Sequence, residues 1–200
     1  MLETYVSVDV EADGPIPGQN SMLSLGAAAY DENGKELGTF SVNLETLQGA
    51  SADEKTQKFW REHQEAWKAH RKDTVPPEPA MAQFAAWLRK LENPVLLAAP
   101  AAFDLTFLRW YLVRFLGIDK LWHNGIDLRS YAMGVLHSPY RGAFKSKIRQ
   151  TVPEFSRSGA VAHTHVALDD AREQAAYFFA LKRRRAALER DQQSPDAAQV

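Results

Sequence analysis

Apolar and polar residues alternate from Val6 to Glu11, with Val6, Val8 and Val10 on one side and Ser7, Asp9 and Glu11 on the other. A period of two belongs to a β-strand, whose successive side chains point to opposite faces. Ala12 to Gly18 is a loop punctuated by Gly and Pro, and Met22 to Tyr30 is a small, apolar run that reads as a buried strand. Asn33-Gly34 supplies the positive φ of a tight turn, and Glu36 to Asn43 returns as a third strand. Three strands with short connections predict an antiparallel meander.

The period then lengthens. Ala52 to His70 reads as a helix, with Phe59, Trp60, His63 and Trp67 three or four residues apart on one side, a stripe suited to core packing. Val75-Pro76-Pro77-Glu78-Pro79 breaks it, and Ala80 to Leu91 forms a second amphipathic helix. Val95 to Ala99 is a short buried strand, and Leu105 to Leu116 is a helix apolar on nearly every side. Gly125 to Leu128 forms a last short strand, with a helical piece through Leu136. Ser138 to Ser158 is less regular and carries Arg141, Lys145, Lys147 and Arg149. Asp169 to Leu188 is a long helix with Ala171, Ala175 and Phe178 turned inward. Strands first, then strands alternating with helices, predict an α/β layer structure with a mixed sheet. The chain reads as a single domain over residues 1–190 with a disordered tail over 191–200.

Composition narrows the function. A chain of 200 residues, 45% hydrophobic, is long enough to bury a core of its own. A net charge of -1 excludes bulk attraction to nucleic acid, so phosphate affinity must come from local patches or metal ions. With no cysteine there is no disulfide, thiolate metal site or thiol nucleophile. Met1-Leu2-Glu3-Thr4 lacks the features of a signal peptide, and no apolar run approaches the ~20 residues that span a bilayer. The expectation is a cytoplasmic protein without a membrane partner.

The candidate chemistry begins with Asp9 and Glu11, which the strand sets side by side. Two such charges repel. They emerge into solvent, or they hold a hard divalent cation, which prefers oxygen ligands. Asp104 lies between the strand at Val95 to Ala99 and the following helix. It is a helix cap, or, if that strand runs parallel beside the first, a neighbour of Asp9 and Glu11 at one sheet edge. Asp169 and Asp170 open the last helix, where they complement its dipole. His163 and His165 precede them in the approach loop.

Three segments together carry a resemblance: Val8-Asp9-Val10-Glu11-Ala12-Asp13-Gly14, Phe103-Asp104-Leu105-Thr106-Phe107-Leu108 and His165-Val166-Ala167-Leu168-Asp169-Asp170-Ala171. In order and context they resemble the DEDDh branch of the DEDD 3′-to-5′ exonuclease superfamily, across residues 5–180. The resemblance implies a ribonuclease H-like α/β fold, a five-stranded mixed sheet flanked by helices. It implies that Asp9, Glu11, Asp104 and Asp170 bind two Mg2+ ions, with Mn2+ as a substitute, and that His165 is the general base. A sister branch places Tyr four residues before the last Asp; Val166 stands there, so the His branch fits. Pro100-Ala101-Ala102 departs from the His-Asn pair that many relatives carry before the third motif.

The implied substrate is single-stranded nucleic acid cut from its 3′ end. Ala12, Gly14, Phe107, Arg141 and Lys145 are candidate substrate contacts, alongside Phe59, Phe103 and Phe144 as stacking platforms or core. Thr56-Gln57-Lys58-Phe59-Trp60 is similar to a Thr-x-x-aromatic-Trp pattern of a bacterial exoribonuclease-like branch, which favours RNA or short oligonucleotides. DNA, as in proofreading or repair, is the alternative, and a non-catalytic binding module on the same fold is the reading from another class. Relatives are often dimers, so the resemblance admits a homodimer.

Overall fold

The computed structural model describes residues 2–117, 125–152, 155 and 163–193. Five strands form one sheet in the order β3-β2-β1-β4-β5, with β1 at Thr4–Ala12, β2 at Met22–Tyr30, β3 at Glu36–Asn43, β4 at Pro94–Ala98 and β5 at Ile126–Asp127. β1, β2 and β3 pair antiparallel, whereas β4 runs parallel to β1 and β5 parallel to β4. The helices are α1 (Glu54–Glu62), α2 (Gln64–His70), α3 (Pro77–Leu88), α4 (Ala101–Leu116), α5 (Leu128–Leu136), α6 (Lys145–Thr151) and α7 (Ala167–Gln193), with a 3-10 turn at Tyr140–Ala143. The α/β, mixed-sheet expectation is met.

The alternation in β1 sorts the two faces. Val6, Val8 and Val10 join Met81 and Phe84 of α3 and Phe107, Leu108 and Tyr111 of α4 in one buried cluster. Tyr5 packs on the other side, against a second cluster that draws on Leu128 and Ala132 of α5, Ile148 of α6 and Tyr177 and Phe178 of α7. Each such large apolar side chain contributes roughly 1.5–3 kcal/mol on burial. Ser7, Asp9 and Glu11 therefore share the face that meets α7. Contact there is close at Gly26, the cross-strand partner of Asp9. A Cβ on Gly26 would lie 2.2 Å from the carbonyl carbon of Ala167. Only glycine lets the start of α7 cross the sheet at this point.

Several boundaries differ from the sequence reading. The helix expected over Ala52 to His70 is two helices broken at His63, whose φ of -120° and ψ of 54° lie outside the helical region. The His63 ring nitrogen Nδ1 meets the free Phe59 carbonyl at 2.9 Å, and its backbone N–H donates to Trp60. α3 starts at Pro77, because a first-turn proline has no needed amide hydrogen to lose. α4 starts at Ala101, before Leu105, which puts Asp104 within its first turn and leaves the cap position to Pro100. α7 continues past Leu188 to Gln193. The expected tail falls otherwise on residues 194–200, outside the described residues. Among the described residues no helix is long and apolar enough to cross a membrane.

Candidate active site

β1 delivers two carboxylates to one face. Asp9 and Glu11 each place a ligand oxygen within 4.8 Å of one on Asp170, from the first turn of α7. The close crossing at Gly26 makes this meeting possible. Asp104 lies outside that triad but beside it. Its Oδ1 accepts the buried Val10 amide at 2.9 Å, which ties the first turn of α4 to the strand between Asp9 and Glu11. After burial itself, the Asp104 charge is the largest influence on Asp9. The parallel pairing of β1 with β4 sets this proximity, since α4 leaves from the end of β4.

Asp170 is fully buried and well supplied with donors. It accepts the amides of Thr164 at 2.9 Å and His165 at 3.1 Å, and His163 Nδ1 lies 2.9 Å away. One turn on, Gln174 donates from Nε2 to Asp9 Oδ1 at 2.5 Å. Glu173, with 1% of its side chain exposed, binds Lys145 at 2.8 Å and also Arg149. Burial alone would raise the Glu173 pKa, but hydrogen bonds from His163 and Lys145 outweigh it and hold the group at about 2. This permanent anion anchors α6 to α7 and fixes Lys145 at the edge of the carboxylates.

The carboxylates of Asp9, Glu11 and Asp104 are in the opposite condition. Burial, followed by the charges of Asp104, Glu11 and Asp170, pushes Asp9 well above the usual carboxylate range. Burial and then Asp170 push Glu11 up to about 8. Burial lifts Asp104 to about 7, even though the Val10 amide opposes it. So much mutually repelling oxygen, out of water, has too little positive charge around it. A hard divalent cation, held by oxygen ligands, resolves that imbalance. The donor set fits such an ion.

His165 stands at the rim in a left-handed backbone conformation, φ 56°. Its ring meets Phe59 at 4.9 Å, His63 at 4.7 Å and His163 at 4.3 Å between centroids, each edge-on. Burial and then the charge of His163 push its pKa below the ordinary value, so it is neutral at physiological pH and free to accept a proton. His163 is the reverse case: its bonds to Asp170 and Glu173 raise it to about 9, and it stands as a cation beside the acids.

The structure brings Asp9, Glu11, Asp104, His165, Asp170 and Lys145 to one place. Phe107 is fully buried on the face of α4 that packs against the sheet, in the cluster of Val8 and Tyr111. Ala12 is buried and its carbonyl accepts the Trp60 indole N–H at 3.0 Å. Gly14 is buried, and a Cβ there would lie 2.3 Å from Cγ of Asn20. Arg141 is exposed on the Tyr140–Ala143 turn. Glu173 and Gln174 were missed, although they follow Asp170 at i+3 and i+4 on one helix face, a spacing that could have found them.

Residues 4–181 match the family model described as the 3′-5′ exoribonuclease Rv2179c-like domain. The chain is 34% identical over 181 residues to the 3′-5′ DNA exonuclease Cap18 of Escherichia coli, covering 88% of this chain and 90% of that protein. The fold is similar to the nuclease domain of 3′hExo, a DEDDh family member bound to rAMP (TM-score 0.69, 10% identity, 91% of this chain and 92% of that one). It is also similar to S. pombe Pop2p in its Mg2+ and Mn2+ bound form (TM-score 0.65, 15% identity, 89% and 82%).

Proposed function

The chain belongs to the Rv2179c-like 3′-5′ exoribonuclease domain family and is a 3′-5′ exonuclease, and from that premise we propose that it hydrolyses single-stranded RNA and short oligonucleotides one nucleotide at a time. The observation that carries this reading is the meeting of Asp9, Glu11 and Asp170, from two remote parts of the chain, with their ligand atoms within 4.8 Å.

Asp9, Glu11, Asp104 and Asp170 would hold two Mg2+ ions, with Mn2+ as a substitute, and such ions would supply a lowered pKa for water and positive charge against the phosphate and the departing oxygen. His165, neutral and at the rim, takes the proton from the attacking water on a ring nitrogen. The P–O3′ bond to the penultimate nucleotide breaks, leaving a new 3′-hydroxyl on the strand and releasing a nucleoside 5′-monophosphate. Lys145, held by Glu173, presents an ammonium group to the phosphate at the edge of the cluster. Arg141, exposed on the turn before α6, extends that positive surface toward the strand.

DNA is the second reading, and the 34% identity to Cap18, a DNA exonuclease, favours it. Matched 5′-labelled RNA and DNA strands, incubated with Mg2+ with and without chelator, decide between them. The expected result is a ladder that shortens from the 3′ end, faster on RNA, and stops with chelator. Faster loss of DNA moves the substrate to the second reading. Binding of both strands without cleavage, across a metal titration, overturns the enzyme assignment.

A further inference from the structure

His70, the last residue of α2, is buried with 1% exposure, 95 residues from the catalytic loop in sequence and in direct contact with it. Its Nε2 lies 2.7 Å from the carbonyl oxygen of His165, and its Nδ1 lies 3.0 Å from the hydroxyl of Ser24. A carbonyl can only accept, so Nε2 carries the proton and Nδ1 accepts from the Ser24 hydroxyl. Ser24 is the cross-strand partner of Glu11. The chain of bonds therefore runs from the strand position opposite a ligand carboxylate, through one neutral imidazole, to the backbone of His165. The Trp60 ring backs His70 edge-on at 5.1 Å.

The far end of this chain is a residue that needs holding. His165 is left-handed at φ 56°, which costs energy for a residue with a Cβ. Its amide is fixed by Asp170 Oδ2 at 3.1 Å, and its carbonyl by His70. With both sides of the residue bonded, its backbone is held in place, and its ring lies against His163 with a nitrogen near the Asp170 carboxylate.

We propose that His70 is a positioning residue for hydrolysis: by donating from Nε2 to the carbonyl of His165, with Ser24 setting its tautomer, it holds the His165 ring where the base must act. This rests on the reading of His165 as the base.

The test uses the full chain, a 5′-labelled strand with Mg2+, and calorimetric titration with Mn2+. His70→Ala should lower kcat about 10- to 100-fold, the range typical of removing a residue that orients a site ligand, while KM and Mn2+ affinity stay at wild-type values. His70→Gln, whose amide N–H reaches the same carbonyl, should recover most of the rate. Ser24→Ala leaves the imidazole in place and should give a smaller loss of the same kind, which keeps the test available if His70→Ala folds poorly. Added to His165→Ala, His70→Ala should cost nothing further, because the two act on one step. Additive losses, or a loss in Mn2+ affinity that matches the loss in rate and is not rescued by Gln, overturn the proposal. A wild-type rate for His165→Ala removes the base reading and the positioning role with it. A slow His165→Ala beside a wild-type His70→Ala removes the positioning role alone.

Discussion

Replacing Glu11 with Gln should make the metal-free protein more stable while abolishing its activity. In the folded chain Glu11 titrates at about 8, against 4.5 for an unperturbed side chain. Burial is the main cause, and the charge of Asp170 comes next. Between those two values the folded state keeps a proton that the unfolded chain gives up, so stability falls as pH rises through this window and stays low above it. At ~1.4 kcal/mol for each pH unit, the gap of about 3.5 amounts to ~5 kcal/mol above about pH 8. Gln removes the charge but still buries an amide, and it deprives His163 of a nearby anion. The expected net gain is therefore smaller, ~2 kcal/mol at about pH 9, and it should shrink to near zero at about pH 5. Urea denaturation in EDTA at both pH values reads this directly. Mn2+ should stabilise the wild type more than the variant, since ligand binding to the folded state alone raises stability. A variant no more stable than wild type at the higher pH would refute the claim that uncompensated charge is stored in the cluster.

Four other perturbations follow from the same geometry. His165→Ala should lower kcat by ~10²–10⁴ with Mn2+ affinity retained, measured by single-turnover cleavage and calorimetry; a wild-type rate would remove His165 as the base. Gly26→Ala forces a methyl group onto the backbone of Ala167 and Leu168, so it should cost ~3 kcal/mol in urea melts and most of the activity; a tolerated alanine would show that α7 can retreat without cost. Phe107→Leu should cost ~1 kcal/mol of stability with KM unchanged, whereas a raised KM would place Phe107 at the substrate after all. Treatment with EDTA should stop cleavage, and either Mg2+ or Mn2+ should restore it; activity that survives chelation contradicts the metal site.

What the sequence made legible was local or carried by order along the chain. The period of two put Asp9 and Glu11 on one face, and the parallel strand before Asp104 brought that residue to the same edge. The spacing of His165 to Asp170 put the histidine in the approach loop, where it lies. Contacts between remote segments left no such trace. Nothing in the periodicity of Phe59, Trp60, His63 and Trp67 says that His70 reaches the His165 carbonyl, or that the helix breaks at His63 and leaves Trp67 exposed. Asp104 looked like a cap because helix propensity does not register that Ala101 and Ala102 extend α4 backward behind Pro100. The sequence places His163 in the approach loop and assigns it no role. Its role as a cation beside Asp170 and Glu173 depends on three-dimensional charge balance, which spacing does not encode.

Anomalous diffraction from crystals soaked in Mn2+ tests the central claim most directly, because it locates the ion without relying on turnover. The expected result is a strong peak bounded by carboxylate oxygens of Asp9, Glu11 and Asp170. A peak elsewhere on the chain, or none at this cluster under saturating Mn2+, would contradict it.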